Sequence, residues 1–187
     1  MNPAAQSLPW FDALPVSAAA FADIRRRAIF ECCKWDPQME DACAIAAAPL
    51  MLTGDAWAEL ARHAELLAAE TIAAEDELVT RPDLQSRLGL PRAVRQAPAA
   101  APRVGAALGF ARLMRFDFHY TTDGWRISEA NTDVPGGLIE ASGFAALFAP
   151  HFPDAVGTGD TVAIYADAIA ASLGDGARLA LVHATAF

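Results

Sequence analysis

Apolar residues recur at helical spacing through the first half of the chain. The first stripe follows Ser17, a suitable N-cap, and comprises Phe21, Ile24, Ala28, Ile29 and Cys32. Residues 53–79 carry the clearest stripe, from Trp57 to Ala68, and Asp55 is expected to cap that helix. The glutamates of this helix are expected on solvated faces; they are Glu65, Glu70, Glu75 and Glu77.

Shorter segments surround these two helices. The apolar run CAIAAAPLML, residues 43–52, is compatible with a buried strand or a short helix, because Pro49 leaves its pattern ambiguous. RPDLQSRLGLP, residues 81–91, predicts a short helix between prolines. QAPAAAPR, residues 96–103, is expected to form a linker or surface loop, since prolines punctuate it.

The periodicity changes to two from Phe110, which predicts two strands. Two helices are expected next, one from residue 138 to Pro150 and one over 161–173 that Gly174 caps. ARLALVHATAF, residues 177–187, is apolar and predicts a further strand. The pattern thus indicates an α+β protein, with a helical N-terminal half packed on an antiparallel hairpin.

The turn TTDG connects the two strands of the hairpin. A three-residue loop of Thr122, Asp123 and Gly124, with the glycine left-handed, is a common connection and would pair Thr121 with Trp125. Counting back from that pair sets Asp117 opposite Glu129 and Arg115 opposite Asn131. A two-residue turn would instead set Asp117 opposite Ala130.

In this register one face of the hairpin is polar and the other apolar. The predicted polar face comprises Arg115, Asp117, His119, Ile127, Glu129 and Asn131. The apolar face of Met114, Phe116, Phe118 and Tyr120 is expected to pack on a core.

The polar face sets two carboxylates directly opposite each other, where they repel. A hard divalent cation would compensate, because Mg²⁺ takes carboxylate and amide oxygens as ligands. Arg115 offers a planar fork that suits phosphate oxygens. A simpler interpretation stays open, in which Arg115 forms a salt bridge with Asp117 or Glu129 on a solvated face.

The net charge and the cysteine spacing limit which binding partners and which cellular compartment the sequence predicts. The formal net charge is -9 without any basic run, which argues against nucleic acid and against an anionic membrane surface. No apolar run reaches the roughly 18 residues of a transmembrane helix, and the N-terminus lacks the basic region of a signal peptide. Cys32, Cys33 and Cys43 lack Cys-x-x-Cys spacing and are expected to be buried thiols in a reducing cytoplasm.

The hairpin also carries a motif. Arg-Phe-Asp-Phe begins at Arg115, Glu129 comes twelve positions after Asp117, and the run continues as Glu-Ala-Asn-Thr-Asp-Val-Pro-Gly-Gly. These residues resemble the metal-binding hairpin of ATP-grasp ligases. The resemblance implies that Asp117, Glu129 and Asn131 bind Mg²⁺ ions that bridge the phosphates of ATP. It also implies that Arg115 is a catalytic residue that holds the acyl-phosphate.

The order of the motifs is similar to that of the circularly permuted ATP-grasp group, which includes glutathionylspermidine synthase and its relatives. Only 114 residues precede the hairpin, and Lys34 is the only lysine of the chain. In that group an α/β domain, the pre-ATP-grasp domain, follows the hairpin, and the lysines that hold the nucleotide come later still. The resemblance therefore implies three parts, which are a mainly helical region over 1–100, the metal-binding hairpin with its helix over 101–153, and the start of an incomplete α/β domain over 154–187. On this basis the chain is expected to be the N-terminal portion of a longer enzyme or a truncated homologue of one.

The function that the resemblance implies is an ATP-dependent carboxylate–amine ligase. Its cofactors would be Mg²⁺ and ATP, and its substrates a small-molecule carboxylate and an amine. Asp133 and Glu140 are candidates to orient the amine. Two alternatives stay open, namely a non-catalytic binding module derived from an ATP-grasp fold and a phosphotransferase that uses the same hairpin.

Overall fold

The computed structural model describes residues 11–34, 38–39, 42–100, 111–173 and 176–180. Within these ranges the chain is a mixed α+β protein with three small antiparallel sheets of two strands each. This confirms the α+β class. Among the same residues, no helix combines the length and the apolar character needed to cross a membrane.

The N-terminal part of the chain combines a helix with four short strands. Strand β1 (Phe11–Ala13) pairs with β4 (Leu50–Leu52), and β2 (Gln38–Met39) pairs with β3 (Ala42–Cys43). Helix α1 (Ala18–Phe30) follows β1. The ambiguous run at 43–52 therefore ends in a strand and contains no helix.

Helix α1 begins at the predicted cap. The Oγ of Ser17 accepts a hydrogen bond from the backbone N–H of Ala20 at 3.2 Å, which satisfies one of the free donors of the first turn. Ile24 and Ala28, four positions apart on one face, are buried. Both the cap and the apolar stripe of this helix are confirmed.

Helix α2 (Gly54–Thr80) is the long helix that the sequence predicts, but its cap differs. Thr53 is the N-cap, and its Oγ1 accepts a hydrogen bond from the N–H of Ala56 at 3.3 Å. The prediction of Asp55 as the cap was wrong, because Asp55 already lies inside the first helical turn. Its carboxylate there still complements the positive end of the helix dipole.

Two short helices follow α2. Helix α3 (Pro82–Arg87) confirms the helix expected between the prolines, with proline at its first position. Helix α4 (Arg92–Ala100) covers residues 96–100, so the prediction of a linker or loop there was wrong. The alanines of this segment have the highest helix propensity, and they extend the helix past Pro98. Residues 101–103 of the predicted loop lie outside the described residues.

The two helices expected after the hairpin are present. Helix α5 (Leu138–Phe148) continues into a single 3₁₀ turn (Ala149–His151), and α6 (Thr161–Ser172) follows. The proposed cap Gly174 lies outside the described residues. Residues 177–180 have no strand structure and pair with no other described strand, so the predicted strand is wrong there; residues 181–187 lie outside the described residues.

The hydrophobic core joins α1 to the end of α5. Its buried members are Ile24, Ala28, Ile45, Leu147 and Phe148. The hairpin is not among them. Its Phe116 and Phe118 are half-buried and Tyr120 is exposed, so the expected packing on a core was wrong for Tyr120. The ring of Phe118 instead stacks on His63 of α2, with centroids 6.5 Å apart.

The three cysteines differ in exposure. Cys32 and Cys43 are half-buried against the core, and burial raises the pKa of the Cys32 thiol. Cys33 is exposed, so the expectation of three buried thiols was wrong for this residue. The backbone of Cys33 has a φ of 54°, a left-handed conformation, in the segment that follows the C-cap of α1.

Gly143 allows α5 to approach α1 closely, and replacing it tests that contact. A Cβ at this position would lie 2.5 Å from the Sγ of Cys32. Alanine normally stabilises a helix relative to glycine by about 0.5–1 kcal/mol. We expect the steric overlap to outweigh this gain, so that Gly143→Ala lowers the free energy of unfolding by about 1–3 kcal/mol in urea denaturation.

Two further variants provide the controls for this prediction. Cys32→Ala combined with Gly143→Ala should recover most of the lost stability, because the sulfur is then absent. Gly54→Ala, at a position where an added Cβ meets nothing within 4 Å, should not destabilise. Equal stability of Gly143→Ala and the unmodified chain would contradict the close approach.

Candidate functional site

The candidate site lies at the open end of the hairpin formed by β5 (Arg115–Thr121) and β6 (Gly124–Asn131). The strands pair antiparallel, with Arg115 opposite Asn131 and Asp117 opposite Glu129. The register predicted for these four residues is therefore confirmed. It brings two carboxylates, a guanidinium and an amide to one end of a two-stranded sheet.

The turn of the hairpin differs from the prediction. Thr121 pairs with Gly124 instead of Trp125, which leaves a two-residue turn of Thr122 and Asp123. The hydroxyl of Thr121 closes it, donating to the carbonyl of Gly124 at 2.8 Å and accepting from the N–H of Asp123 at 3.2 Å. Gly124 has a φ of 86°, which glycine adopts at little cost.

A β-bulge restores the predicted register below this turn. Asp117 pairs with Glu129 and Phe118 pairs with Ile127, so Ser128 is an extra residue in β6. Its Oγ donates to the carbonyl of Asp117 at 3.2 Å. The turn and the bulge each shift the pairing by one residue in opposite senses, and their effects cancel at the open end.

The bulge also changes which residues share a face. Ile127 pairs with Phe118 and Arg126 pairs with His119. The placement of Ile127 on the polar face with Asp117 was therefore wrong, since it lies beside the apolar Phe118. The polar face instead gains Arg126 opposite His119.

Arg115 is held by three hydrogen bonds. Its Nε donates to Oδ1 of Asp117 at 2.8 Å and its Nη2 to Oδ2 at 3.2 Å, a two-pronged ion pair. Its Nη1 donates to the carbonyl of Gly136 at 3.1 Å. The salt bridge to Asp117 that the sequence left open is therefore present. A guanidinium has five N–H groups, so two of them remain without a partner among the described residues.

This ion pair sets the charge state of Asp117. The hydrogen bonds from Arg115 hold the pKa of the Asp117 carboxyl below its usual range. The carboxylate is therefore ionised near neutral pH, which a metal ligand requires.

Asn131 has an unsatisfied polar atom next to the carboxylates. The side chain is half-buried, and its Nδ2 is buried without a hydrogen-bond partner in the described part of the chain. Such an atom is unfavourable by about 1–3 kcal/mol and calls for an explanation. Rotation of the amide exchanges Nδ2 and Oδ1, so a carbonyl oxygen can occupy the same place. The amide of Asn131 is therefore not fixed by hydrogen bonds among the described residues in either orientation, and its carbonyl oxygen is the atom that could serve a cation.

The donor set favours one class of metal. The described residues contain no group of three or more His, Cys, Asp or Glu side chains arranged to hold an ion. The donors at the hairpin are the carboxylates of Asp117 and Glu129 and the amide of Asn131. Mg²⁺ is commonly bound by one or two carboxylates together with water and substrate phosphates. The hairpin fits such an open site and lacks the ligands of a closed Zn²⁺ site.

The two predicted amine-orienting residues lie in different surroundings. Asp133 is exposed in the bend after β6. Glu140 lies in the first turn of α5, and its Oε1 forms an ion pair with Nζ of Lys34 at 2.8 Å. The single lysine of the chain is therefore engaged there, and the structure does not bring Glu140 into the contacts of Arg115.

Arg112 was not among the residues identified from the sequence, yet it holds the end of the hairpin. Its Nη2 donates to Oε1 of Glu75 at 2.7 Å and to the carbonyl of Thr132 at 2.9 Å. Its Nη1 also contacts Oε2 of Glu75. This pairing lowers the pKa of Glu75. Helix α2 is thereby connected to the residue that follows Asn131.

No family model, curated protein or solved structure matches this chain. The hairpin geometry and the chemistry of its residues are therefore the basis for any functional assignment.

The charge state of Asp117 offers a direct test of the Arg115 fork. In Arg115→Gln the pKa of Asp117 should rise towards its usual value, because the charged donor is gone; an NMR titration of the Asp117 carboxyl carbon measures it. A depressed pKa stabilises the fold above the pKa of the unfolded chain, and this contribution disappears as pH falls through the folded-state pKa. The variant should therefore lose this acid-side dependence. Arg126→Gln, on the same hairpin, should leave Asp117 unchanged, and the same pKa in both variants would contradict the pairing.

The link from α2 to Thr132 is testable by hydrogen exchange. Arg112→Gln and Glu75→Gln should each speed the exchange of the amides at 129–131 several-fold, because the end of β6 loses its attachment to the helix. Glu59→Gln, an exposed position on the same helix, serves as the control and should have no effect. Unchanged exchange in both test variants would show that Arg112 does not hold the hairpin.

Proposed function

We propose that the hairpin is the Mg²⁺-binding element of an ATP-dependent carboxylate–amine ligase of the circularly permuted ATP-grasp type. One observation carries the proposal, which is the pairing of Asp117 with Glu129 and of Arg115 with Asn131 at one end of the hairpin. The pairing brings together the residues that correspond to the ligase motif. The orphaned amide of Asn131 and the ionised Asp117 support the same assignment.

The metal ligands and Arg115 would have separate roles in this function. Asp117, Glu129 and Asn131 would hold Mg²⁺, which neutralises the charge of the ATP phosphates during phosphoryl transfer. The two remaining N–H groups of Arg115 would bind oxygens of the transferring group. The ion pair with Asp117 fixes the guanidinium in place, so no reorganisation is needed when charge develops.

The reaction that this arrangement serves has two steps. A carboxylate oxygen of the substrate bonds to the γ-phosphorus of ATP and ADP leaves, which gives an acyl-phosphate. The amine then bonds to the acyl carbon, phosphate leaves, and the nitrogen loses a proton to give an amide. Arg115 would stabilise negative oxygens in both steps. Asp133, exposed beside β6, would have access to the amine, whereas Glu140 would keep α5 attached to Lys34.

One observation favours the alternative of a non-catalytic binding module. Lys34 is the only lysine of the chain, and it is paired with Glu140. Bound nucleotides commonly rely on lysine to contact phosphates. A module that binds Mg²⁺ without turning over ATP would account for this. Nothing in the geometry favours a phosphotransferase over these two functions.

Calorimetry with Mg²⁺ and ATP tests the proposal. The unmodified chain should bind Mg²⁺, and Asp117→Asn and Glu129→Gln should each weaken binding at least tenfold, because each removes one of two charged ligands. Asp123→Asn removes an acid of the same charge from the turn of the same hairpin and should bind as the unmodified chain does. Equal Mg²⁺ affinity in all four proteins would overturn the metal site.

Product analysis then separates the functions. A ligase should release phosphate from ATP only when both a carboxylate and an amine are present. Phosphate transfer without an amine would indicate a phosphotransferase. Mg²⁺ binding without any phosphate release would indicate the non-catalytic module.

A further inference from the structure

A cavity shares one residue, Arg115, with the candidate metal site. Its volume is about 250 Å³, and it opens between the hairpin, α2 and the start of α5. Most of its lining is apolar, contributed by Leu113, Met114, Phe116, Phe118, Leu138 and Ala141. Gly136 and Arg115 also line it. The proposed phosphoryl-transfer chemistry makes no use of this apolar space.

Arg115 connects the cavity to the carboxylates. One edge of its guanidinium is bonded to Asp117, and its Nη1 donates to the carbonyl of Gly136, which is itself a lining residue. An added Cβ on Gly136 would lie 3.8 Å from Nη1, so the guanidinium packs closely on this glycine. A ligand in the cavity would thus meet one positive group, the guanidinium that is also hydrogen-bonded to Asp117.

The size and polarity of the cavity define what it can hold. At about 30 Å³ per water molecule, its volume corresponds to about eight non-hydrogen atoms. The apolar lining favours a hydrocarbon body, and small-molecule sites commonly combine such a lining with one oriented polar group. Arg115 supplies that group and matches a carboxylate, which takes up paired N–H donors.

We propose that this cavity binds the carboxylate substrate, and that this substrate is a small monocarboxylate with an apolar chain or ring of about six carbons. The hydrocarbon occupies the space between Phe116, Leu138 and Ala141. The carboxylate binds the remaining N–H groups of Arg115 before phosphoryl transfer, and the oxygens of the transferred group replace it there in the acyl-phosphate. The claim that this ligand is the substrate of the ligase rests on the proposed function. The claim that the cavity binds an apolar carboxylate rests only on the cavity and Arg115.

The carboxylate pair makes ligand and cation binding cooperative. Without a cation, Asp117 and Glu129 repel a carboxylate that approaches Arg115. A bound Mg²⁺ removes this repulsion, so Mg²⁺ should raise the affinity for the carboxylate. By linkage the carboxylate should raise the affinity for Mg²⁺ by the same factor.

Hexanoate, with eight non-hydrogen atoms, is the probe that tests the site by calorimetry and by NMR shifts. It should bind to the unmodified chain at least tenfold more tightly than acetate, which lacks the chain, or hexanamide, which lacks the charge. Ala141→Leu should weaken hexanoate binding at least tenfold, because the larger side chain fills the cavity. Ala146→Leu makes the same change on the same helix, at an exposed position that does not line the cavity, and should bind normally.

A second pair of variants tests the cavity independently, in case Ala141→Leu does not fold. Ala64→Leu fills the cavity from α2, and Ala69→Leu is its control at an exposed position of that helix. Circular dichroism checks that each variant keeps its helices. Three results would overturn the inference. They are no binding of hexanoate, equally tight binding of hexanamide, and hexanoate binding that persists in both Ala141→Leu and Ala64→Leu.

The Mg²⁺ titrations separate this inference from the proposed function. Glu129→Gln should lose the Mg²⁺ effect and still bind hexanoate, because Arg115 keeps its hydrogen bonds to Asp117 and Gly136 and the cavity is retained. Hexanoate binding that depends on the cavity, in a chain that binds no Mg²⁺, would refute the metal site and support the cavity assignment. Mg²⁺ binding without hexanoate binding would refute the cavity assignment alone.

Discussion

The ion pair between Arg115 and Asp117 is the interaction on which the candidate site depends. Antiparallel pairing sets Asp117 directly across from Glu129, and like charges in that position destabilise a sheet. An isolated two-stranded hairpin is only marginally stable in water. Arg115 neutralises one of the two carboxylates with both prongs of its fork and extends to the carbonyl of Gly136. The same side chain therefore permits the charge pair and joins the strand to the segment that leads into α5.

The sequence identified the open end of the hairpin correctly although its turn was wrong. Counting back from an assumed three-residue loop indicated the pairing of Asp117 with Glu129, and that pairing is present. The turn type could not be read, because TTDG suits both a two-residue and a three-residue loop. The bulge at Ser128 was equally hidden, since a serine in a strand carries no signal for an extra residue. The correct register below the turn depended on these two shifts cancelling.

Contacts between distant residues set the rest of the arrangement, and sequence patterns describe only near neighbours. Periodicity located α1, α2, α5 and α6, because each helix carries its own pattern of apolar and capping residues. The Arg112–Glu75 pair joins positions 37 residues apart, and nothing in either local sequence indicates the other. For the same reason, Glu140 looked available for a substrate until the structure placed Lys34 beside it. The exposed Phe30 and Ile164, at 69% and 65% of their full exposure, likewise show that an apolar position need not be buried.

The ion pair of Arg115 does not exclude a cation at Asp117. An ionised carboxylate offers about four lone-pair positions, and the fork of Arg115 occupies one on each oxygen. Lone pairs therefore remain on the carboxylate of Asp117 for a further partner while both hydrogen bonds are kept. In the proposed metal site, the repulsion between a cation and the guanidinium would be offset by Glu129, which brings a second negative charge, and by Asn131, whose amide oxygen would add a ligand without adding charge. An Arg–Asp pair alone would be an ordinary surface ion pair, of little energetic consequence. The facing glutamate and the buried, unsatisfied amide are what distinguish this hairpin from such a pair.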